Sequence, residues 1–136
     1  MKTSNRRKFI ATSTALAMGT AASALPLSNN PAEKYPVVHH VLFWLKNPGS
    51  KADRDKLIAG VKTLAKIPTV RELRVGVVAS TEKRDVVDNS WGVSELIFFS
   101  DLAGQQAYQD HPIHLKFVET CSPLWDKVIV YDAVEA

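Results

Sequence analysis

Short apolar runs and one longer apolar stripe follow each other along the chain from residue 37 onward. Residues 37–46 (VVHHVLFWLK) are β-branched and aromatic and end at an Asn-Pro-Gly turn, which predicts a strand covered on both faces. Ser50 and Asp53 have the spacing of a capping box, and the stripe after them predicts a helix that ends at Pro68. The stripe consists of Leu57, Ile58, Val61, Leu64 and Ala65.

A second helical region is interrupted by a proline. Asp101 can cap a helix that runs to about Asp110. Because a residue before proline resists the helical conformation, we expect this helix to break at His111. Pro112 is suited to the first position of the next helix, which the pattern extends to about Cys121.

Three further segments predict strands: residues 70–80, 91–99 and 127–134. The resulting order is β-α-β-β-α-β, so the sequence predicts an α+β protein with the ferredoxin-like arrangement. In that arrangement two helices cover one face of the sheet and leave the other bare. Neither set of alternate residues in the first strand is polar, so the bare face is apolar and predicts a partner. Two such sheets packed face to face would form a dimeric α/β barrel.

The first two dozen residues have the features of an export signal. A basic segment ends in Arg6 and Arg7, an apolar stretch rich in alanine, threonine and serine follows, and small residues at 22–24 suit a signal peptidase. The arginine pair resembles a twin-arginine signal, which predicts a periplasmic or secreted protein with no stable membrane anchor after cleavage. An ordinary secretory signal is the alternative. We expect a signal at residues 1–24, a flexible arm at 25–36 and one domain at 37–134.

Composition and charge narrow the function classes. The chain has 136 residues, which suits one domain, and a net charge of +3. Residues 1–24 carry four basic side chains and no acidic one, so the net charge of the rest of the chain is close to −1. A net charge of this sign does not favour nucleic-acid binding. Cys121 is the single cysteine, so no intramolecular disulfide is possible, and core packing is its expected role.

Histidine and tyrosine supply the candidate chemistry. His114 falls in the first turn of the helix after Pro112 and shares a face with Phe117 and Cys121. Burial and the helix dipole should both lower the pKa of His114, which would suit a general base; a core histidine bonded to a carbonyl is the alternative. Tyr108 could donate to a substrate carbonyl or anchor the helix bend.

The first strand carries two adjacent histidines, His39 and His40, whose side chains must point to opposite faces. Several histidines raise the possibility of a metal site, but there is no H-x-x-x-H pair on one helix and no facial-triad spacing. No phosphate-binding glycine loop is present. We therefore expect no metal and no cofactor.

Three segments resemble the stress-responsive A/B barrel (Dabb) family: HHVLFWLK at 39–46, AYQDHPIHLKFVE at 107–119 and LWDKVIVYD at 124–132. The resemblance implies a ferredoxin-like monomer that pairs into a β-barrel dimer. Some plant members, of the olivetolic acid cyclase type, close polyketides with a tyrosine and a histidine, which match Tyr108 and His114. Their further histidine on the first strand matches His39.

The leading hypothesis is an exported homodimer that binds a small, partly apolar molecule between sheet and helices. Its expected contacts are the catalytic candidates His114 and Tyr108, with His39, His111, Phe117 and Trp44 as ligand-binding residues. The second hypothesis is a cyclase, lyase or isomerase in which His114 removes a proton and Tyr108 polarises a carbonyl. The third hypothesis is a protein that binds haem or a metal, and the fourth is a structural protein whose histidines all lie in the core.

Overall fold

A computed structural model describes residues 35–136. The strands are β1 (Val37–Leu45), β2 (Glu72–Gly76), β3 (Val93–Phe99) and β4 (Trp125–Val134), and the helices are α1 (Lys51–Thr63), α2 (Leu102–Asp110) and α3 (Pro112–Cys121). The strands form one antiparallel sheet in the order β2-β3-β1-β4. The predicted ferredoxin-like α+β fold is confirmed. The predicted signal at 1–24 and residues 25–34 of the predicted arm lie outside the described residues.

Local side-chain chemistry fixes the start of each helix. The Ser50 hydroxyl accepts from the Asp53 amide at 3.2 Å, and the Asp101 carboxylate accepts from the Gly104 amide at 2.6 Å. Each bond satisfies an amide that has no partner within the helix. At the break between α2 and α3, His111 is extended and Pro112 is the first residue of α3, as the sequence predicted.

All four strands differ in length from the prediction: β1 ends one residue earlier and β3 begins two residues later, and β2 and β4 differ at limits set by strand pairing. β2 covers only Glu72–Gly76 of the predicted 70–80, because its ladder with β3 ends at the Gly76–Ser94 pair. β4 begins at Trp125, two residues before the predicted 127, because Trp125 pairs with Leu45 across a bulge in the β1–β4 ladder. Pairing with a neighbouring strand decided both boundaries.

The helices cover one face of the sheet and enclose the core there. Side chains at alternate positions of β1 and β3 point to that face and are buried: Val37, His39, Val41, Phe43, Leu45, Val93, Glu95, Ile97 and Phe99. Leu57, Val61 and Leu64 pack against them from the helix layer and are fully buried. Burial of each such aliphatic side chain contributes about 1.5–3 kcal/mol to folding.

The edge strand β4 is less well covered than β1 and β3. Val128, Val130 and Asp132 share the helix-side face because they pair directly with Phe43, Val41 and His39. Val130 is nevertheless 45% exposed, so the helices do not reach over this side of the sheet. A space is left between β4 and the α2–α3 bend, where the candidate site lies.

The opposite sheet face carries Val38, His40, Leu42 and Trp44 of β1, all partly exposed. Within residues 35–136, none of the helices is long and apolar enough to cross a membrane.

Candidate functional site

A cavity of about 360 Å³ opens between the sheet and the α2–α3 bend. Its walls are mostly apolar, with titratable groups gathered among them. The apolar and aromatic lining is Val41, Phe43, Phe117, Val118, Trp125, Val128 and Val130, and the polar lining is His39, Glu95, Tyr108, Gln109, His114 and Asp132. Apolar walls with a few convergent polar groups are typical of a small-molecule site.

A groove of similar volume, about 370 Å³, lies on the far side of the helix layer between α1 and α3. Its polar lining is limited to Thr63, Lys66, Lys116 and Thr120, together with the thiol of Cys121. Burial raises the pKa of that thiol, which keeps it protonated and a poor nucleophile. The chemistry of the protein is therefore better sought in the cavity beside the sheet.

Three strands and the helix bend place the polar groups of the cavity. His39 of β1 and Asp132 of β4 are direct cross-strand partners, and Glu95 of β3 points to the same face of the sheet. Tyr108 lies in the last turn of α2 and His114 in the first turn of α3. The break at Pro112 turns the chain between them, so the rings of Tyr108 and His114 meet with centroids 4.7 Å apart.

His39 stands between two carboxyl groups. Its Nδ1 lies 2.5 Å from Oδ1 of Asp132, a hydrogen bond in which the ring donates. Its Nε2 lies 3.9 Å from Oε1 of Glu95, which is too long for a hydrogen bond. The Asp132 side chain is 58% exposed, so solvent weakens the first interaction and its main effect is to orient the ring.

Glu95 and Tyr108 form a buried pair. Both are 1% exposed, and the Tyr108 hydroxyl donates to Oε1 of Glu95 at 2.7 Å. Burial raises the pKa of Glu95, and the bond from Tyr108 and the nearby His39 ring oppose that rise. Burial and the neighbouring Glu95 carboxyl hold the pKa of Tyr108 well above its usual range. Tyr108 therefore keeps its proton, and that proton is directed at Glu95 and away from the cavity.

His114 presents one bare nitrogen. Its Nδ1 donates to the backbone carbonyl of Gln109 at 2.9 Å, and because a carbonyl can only accept, the hydrogen must be on Nδ1. Burial lowers the pKa of His114, and the Gln109 carbonyl partly opposes this. The imidazole is therefore neutral near pH 7 with Nε2 free to accept. A neutral imidazole that lines a cavity can bind a hydroxyl or remove a proton.

The structure brings four of the six predicted site residues to one cavity: His39, Tyr108, His114 and Phe117. Trp44 and His111 are placed elsewhere. Trp44 alternates with Phe43 and so points to the open sheet face, where its indole donates to Ser90 at 2.9 Å. His111 caps α3, because its Nδ1 accepts from the Ile113 amide at 3.1 Å.

Sequence reasoning missed Glu95 and Asp132. Both had a signal in the strand pattern: Glu95 alternates in phase with Val93 and Ile97, and Asp132 with Val128 and Val130. A carboxylate in phase with apolar side chains shares their face of the sheet, and at Glu95 the buried neighbours Val93 and Ile97 place that carboxylate inside. The backbone carbonyl of Gln109 had no such signal, because the α2–α3 bend alone directs it at His114.

No group of three histidine, cysteine or carboxylate side chains is positioned to hold a metal ion within residues 35–136. The nearest approach to one is His39 with its two carboxyl neighbours. Asp132 and Glu95 lie at opposite ring nitrogens of His39, so the three do not converge on one point.

Comparison with known protein families gives one assignment. The model of the stress-responsive A/B barrel domain, Dabb, matches residues 37–135. The chain belongs to the Dabb family. No curated protein matches the sequence.

Solved structures extend the Dabb assignment to the fold. A Dabb family protein with a ferredoxin-like fold from Mesorhizobium loti is 24% identical with a TM-score of 0.61, over 75% of this chain and 98% of that one. A dimeric ferredoxin-like protein of unknown function from Thermobifida fusca is 17% identical with a TM-score of 0.61, over 75% and 92% of the two chains. A hydroxynitrile lyase from Passiflora edulis is 22% identical with a TM-score of 0.64, over 76% and 95%. Similar folds thus occur in a protein of unknown function and in an enzyme.

Proposed function

We propose that this Dabb protein is an exported homodimer that binds a small, partly apolar molecule in the cavity between β4 and the α2–α3 bend. One observation carries the proposal: His39, Tyr108 and His114 come from three separate elements and meet in one cavity with apolar walls. Side chains that served only to fill a core would have no need of a space of about 360 Å³ beside them.

The homodimer is supported by the open face of the sheet. Leu42, Leu96 and Phe98 lie on that face, which the helices leave uncovered. An uncovered apolar sheet face is stabilised when a second copy packs against it. The similar structure from Thermobifida fusca is described as dimeric, which agrees with this arrangement.

Export is proposed from residues 1–24, with the Arg6-Arg7 pair as a twin-arginine signal and cleavage after Ala24. N-terminal sequencing of protein recovered from the periplasm tests the cleavage site. Replacement of both arginines by lysine should retain the protein in the cytoplasm. Export of the doubly substituted chain would favour an ordinary secretory signal.

The ligand proposal is tested by native mass spectrometry of the mature protein purified from its own periplasm. A dimer that carries a reproducible extra mass is expected, and His114→Ala should reduce the occupied fraction. Lys116→Ala, on the outer surface of α3, is the matched control and should leave the extra mass in place. A cavity that binds no compound in a subsequent ligand screen would contradict the proposal.

A second candidate function is an enzyme of the lyase, isomerase or cyclase type. The observation that favours it is the bare Nε2 of a neutral His114 beside a cavity, which is the state required of a general base. The hydroxynitrile lyase of similar fold is an enzyme precedent. Tyr108 could polarise a carbonyl in such a reaction only when Glu95 is protonated, because otherwise Tyr108 donates to Glu95.

For that candidate, His114→Ala should lower turnover by about 100-fold or more once a substrate is found. The loss should appear in kcat, because a general base acts in the transition state. Turnover that survives His114→Ala unchanged would contradict the assignment of His114 as the base.

A further inference from the structure

The hydrogen bonds within the cavity determine which polar atoms remain for a ligand. The Tyr108 hydroxyl donates to Glu95, so towards the cavity Tyr108 has only the lone pairs of its oxygen. The Nδ1–H of His114 donates to Gln109, so its free atom is the Nε2 lone pair. The two groups whose rings touch at the inner end of the cavity are therefore both acceptors.

His39 adds no donor to this inner end. Its Nδ1 is bonded to Asp132, and a hydrogen on Nε2 would point towards the Glu95 carboxyl, 3.9 Å away. Two further side chains with donors line the cavity, the indole of Trp125 and the amide of Gln109. Trp125 packs against Phe43 and Phe117, and Gln109 is exposed on α2.

The charge of the cavity also restricts the ligand. Glu95 and Asp132 are both carboxyl groups, and no lysine or arginine is among the lining residues. An anionic ligand would meet these two groups without a compensating cation. An uncharged ligand with a hydrogen-bond donor avoids that cost and satisfies the free lone pairs of Tyr108 and His114.

We propose that the cavity selects an uncharged, apolar molecule through a hydroxyl group, which donates to the Tyr108 oxygen or to Nε2 of His114. Glu95 sets this preference as a positioning residue, because it holds the Tyr108 proton away from the cavity. A carbonyl compound of the same shape brings only an acceptor to Tyr108 and His114, so it satisfies neither of their free lone pairs. The inference rests on the proposed ligand-binding function and names the class of ligand.

The test uses two probes with one carbon skeleton, 1-phenylethanol and acetophenone, which differ in a hydroxyl and a carbonyl group. Each is titrated into the mature protein, and the dissociation constant is measured from the NMR shifts of the histidine side chains. The alcohol should bind at least about tenfold more tightly than the ketone. Equal affinities, or tighter binding of the ketone, would overturn the inference while leaving a ligand-binding cavity in place.

Glu95→Gln tests the role assigned to the carboxyl group. The amide can donate to the Tyr108 oxygen and release the Tyr108 hydroxyl towards the cavity, so the ratio of affinities should shift towards the ketone. Glu119→Gln is the matched control, because Glu119 is 76% exposed on α3, and it should leave the ratio unchanged. A ratio unmoved by Glu95→Gln would overturn the role of Glu95.

Tyr108→Phe provides a second measurement that does not depend on how Glu95→Gln folds. Loss of the oxygen should weaken binding of the alcohol several-fold more than binding of the ketone. If Tyr108 only fills space, the substitution should change the two affinities by the same factor. Failure of both probes to bind the wild-type protein would reject the proposed ligand-binding function itself. Binding of both without preference would reject only the selection of a hydroxyl group.

Discussion

At the scale of single residues, burial sets the protonation of the two groups that matter most in the cavity. It disfavours the charged form of each, so it raises the pKa of Glu95 and lowers that of His114. The same cause thus acts in opposite directions on an acid and a base. Both groups are directed by one hydrogen bond each, from Tyr108 to Glu95 and from His114 to the Gln109 carbonyl.

His114 should titrate with a pKa below the ordinary histidine value of 6.5. The folded protein then binds this proton less readily than the unfolded chain, so the free energy of unfolding should fall as the pH decreases through and below that value. The midpoint can be measured from the pH dependence of the histidine ring signals in NMR, with His114→Ala to assign the signal. A midpoint above 6.5 would contradict burial as the dominant influence on His114.

Glu95→Gln should have a pH-dependent effect on stability. The folded pKa of Glu95 lies above the ordinary glutamate value of 4.5, so its favourable contribution is fully present below that value and is lost as the pH rises through the folded pKa. The variant escapes this loss. Relative to wild type it should gain about 1.4 kcal/mol for each pH unit between the two pKa values.

Urea unfolding at about pH 4 and about pH 7 measures this change. The unfolding free energy of Glu95→Gln, relative to that of the wild type, should be higher at about pH 7 than at about pH 4. Glu119→Gln, on the exposed surface of α3, should show the same difference at both pH values. A pH-independent effect of Glu95→Gln would mean that burial does not control the ionisation of this carboxyl group.

At the scale of elements, the contact between α1 and α3 depends on a glycine. A Cβ placed on Gly60 would overlap Sγ of Cys121 and lie 3.3 Å from the Phe117 ring. Phe117 also lines the cavity, so this helix contact holds one cavity wall in position. The absence of a side chain at residue 60 is therefore a packing requirement of α1 against α3.

Gly60→Ala should destabilise the protein by about 1–3 kcal/mol, although alanine in a helix interior normally stabilises. Cys121→Ala removes the atom that clashes, so in the double variant most of the loss should be recovered. Gly49→Ala is the control, because nothing lies within 4 Å of a Cβ at that position. Thermal or urea unfolding provides the measurement, and additive effects of Gly60→Ala and Cys121→Ala would contradict the close contact.

The helices were more predictable than the strands because their limits are set locally. Ser50, Asp101 and Pro112 act within a few residues of their own position, and each begins a helix where the sequence predicted. β2 was predicted too long, because its end depends on how far it pairs with β3, which is distant in sequence. The side of the sheet that His39 occupies was likewise undetermined until the helices were placed.

At the scale of the whole molecule, the sheet face that the helices leave uncovered is the proposed dimer interface. Leu42 lies near the centre of that face, between Ser94 of β3 and Ile129 of β4. Leu42→Asp should convert the proposed dimer into a monomer, since packing of the two sheets would have to remove the new charge from water. Leu115→Asp introduces the same change on α3, where Leu115 is 57% exposed, and should leave the dimer intact.

Sedimentation equilibrium of both variants beside the wild type measures the difference. A dimeric Leu42→Asp protein would place the interface elsewhere on the molecule.

The order of the elements, the starts of the helices, the β-α-β-β-α-β fold and the resemblance to the Dabb family could be predicted from the sequence alone, because they follow from periodicity, capping and short motifs; the first helix ends at Thr63, before the predicted Pro68. The sequence also predicted His39, Tyr108, His114 and Phe117 as site residues, and the structure brings these four to one cavity. Only the tertiary structure decided that Trp44 and His111 lie apart from them and that Glu95 and Asp132 join them. Strand pairing and helix packing join residues far apart in the chain, and the direction of the Tyr108 and His114 hydrogens depends on those contacts.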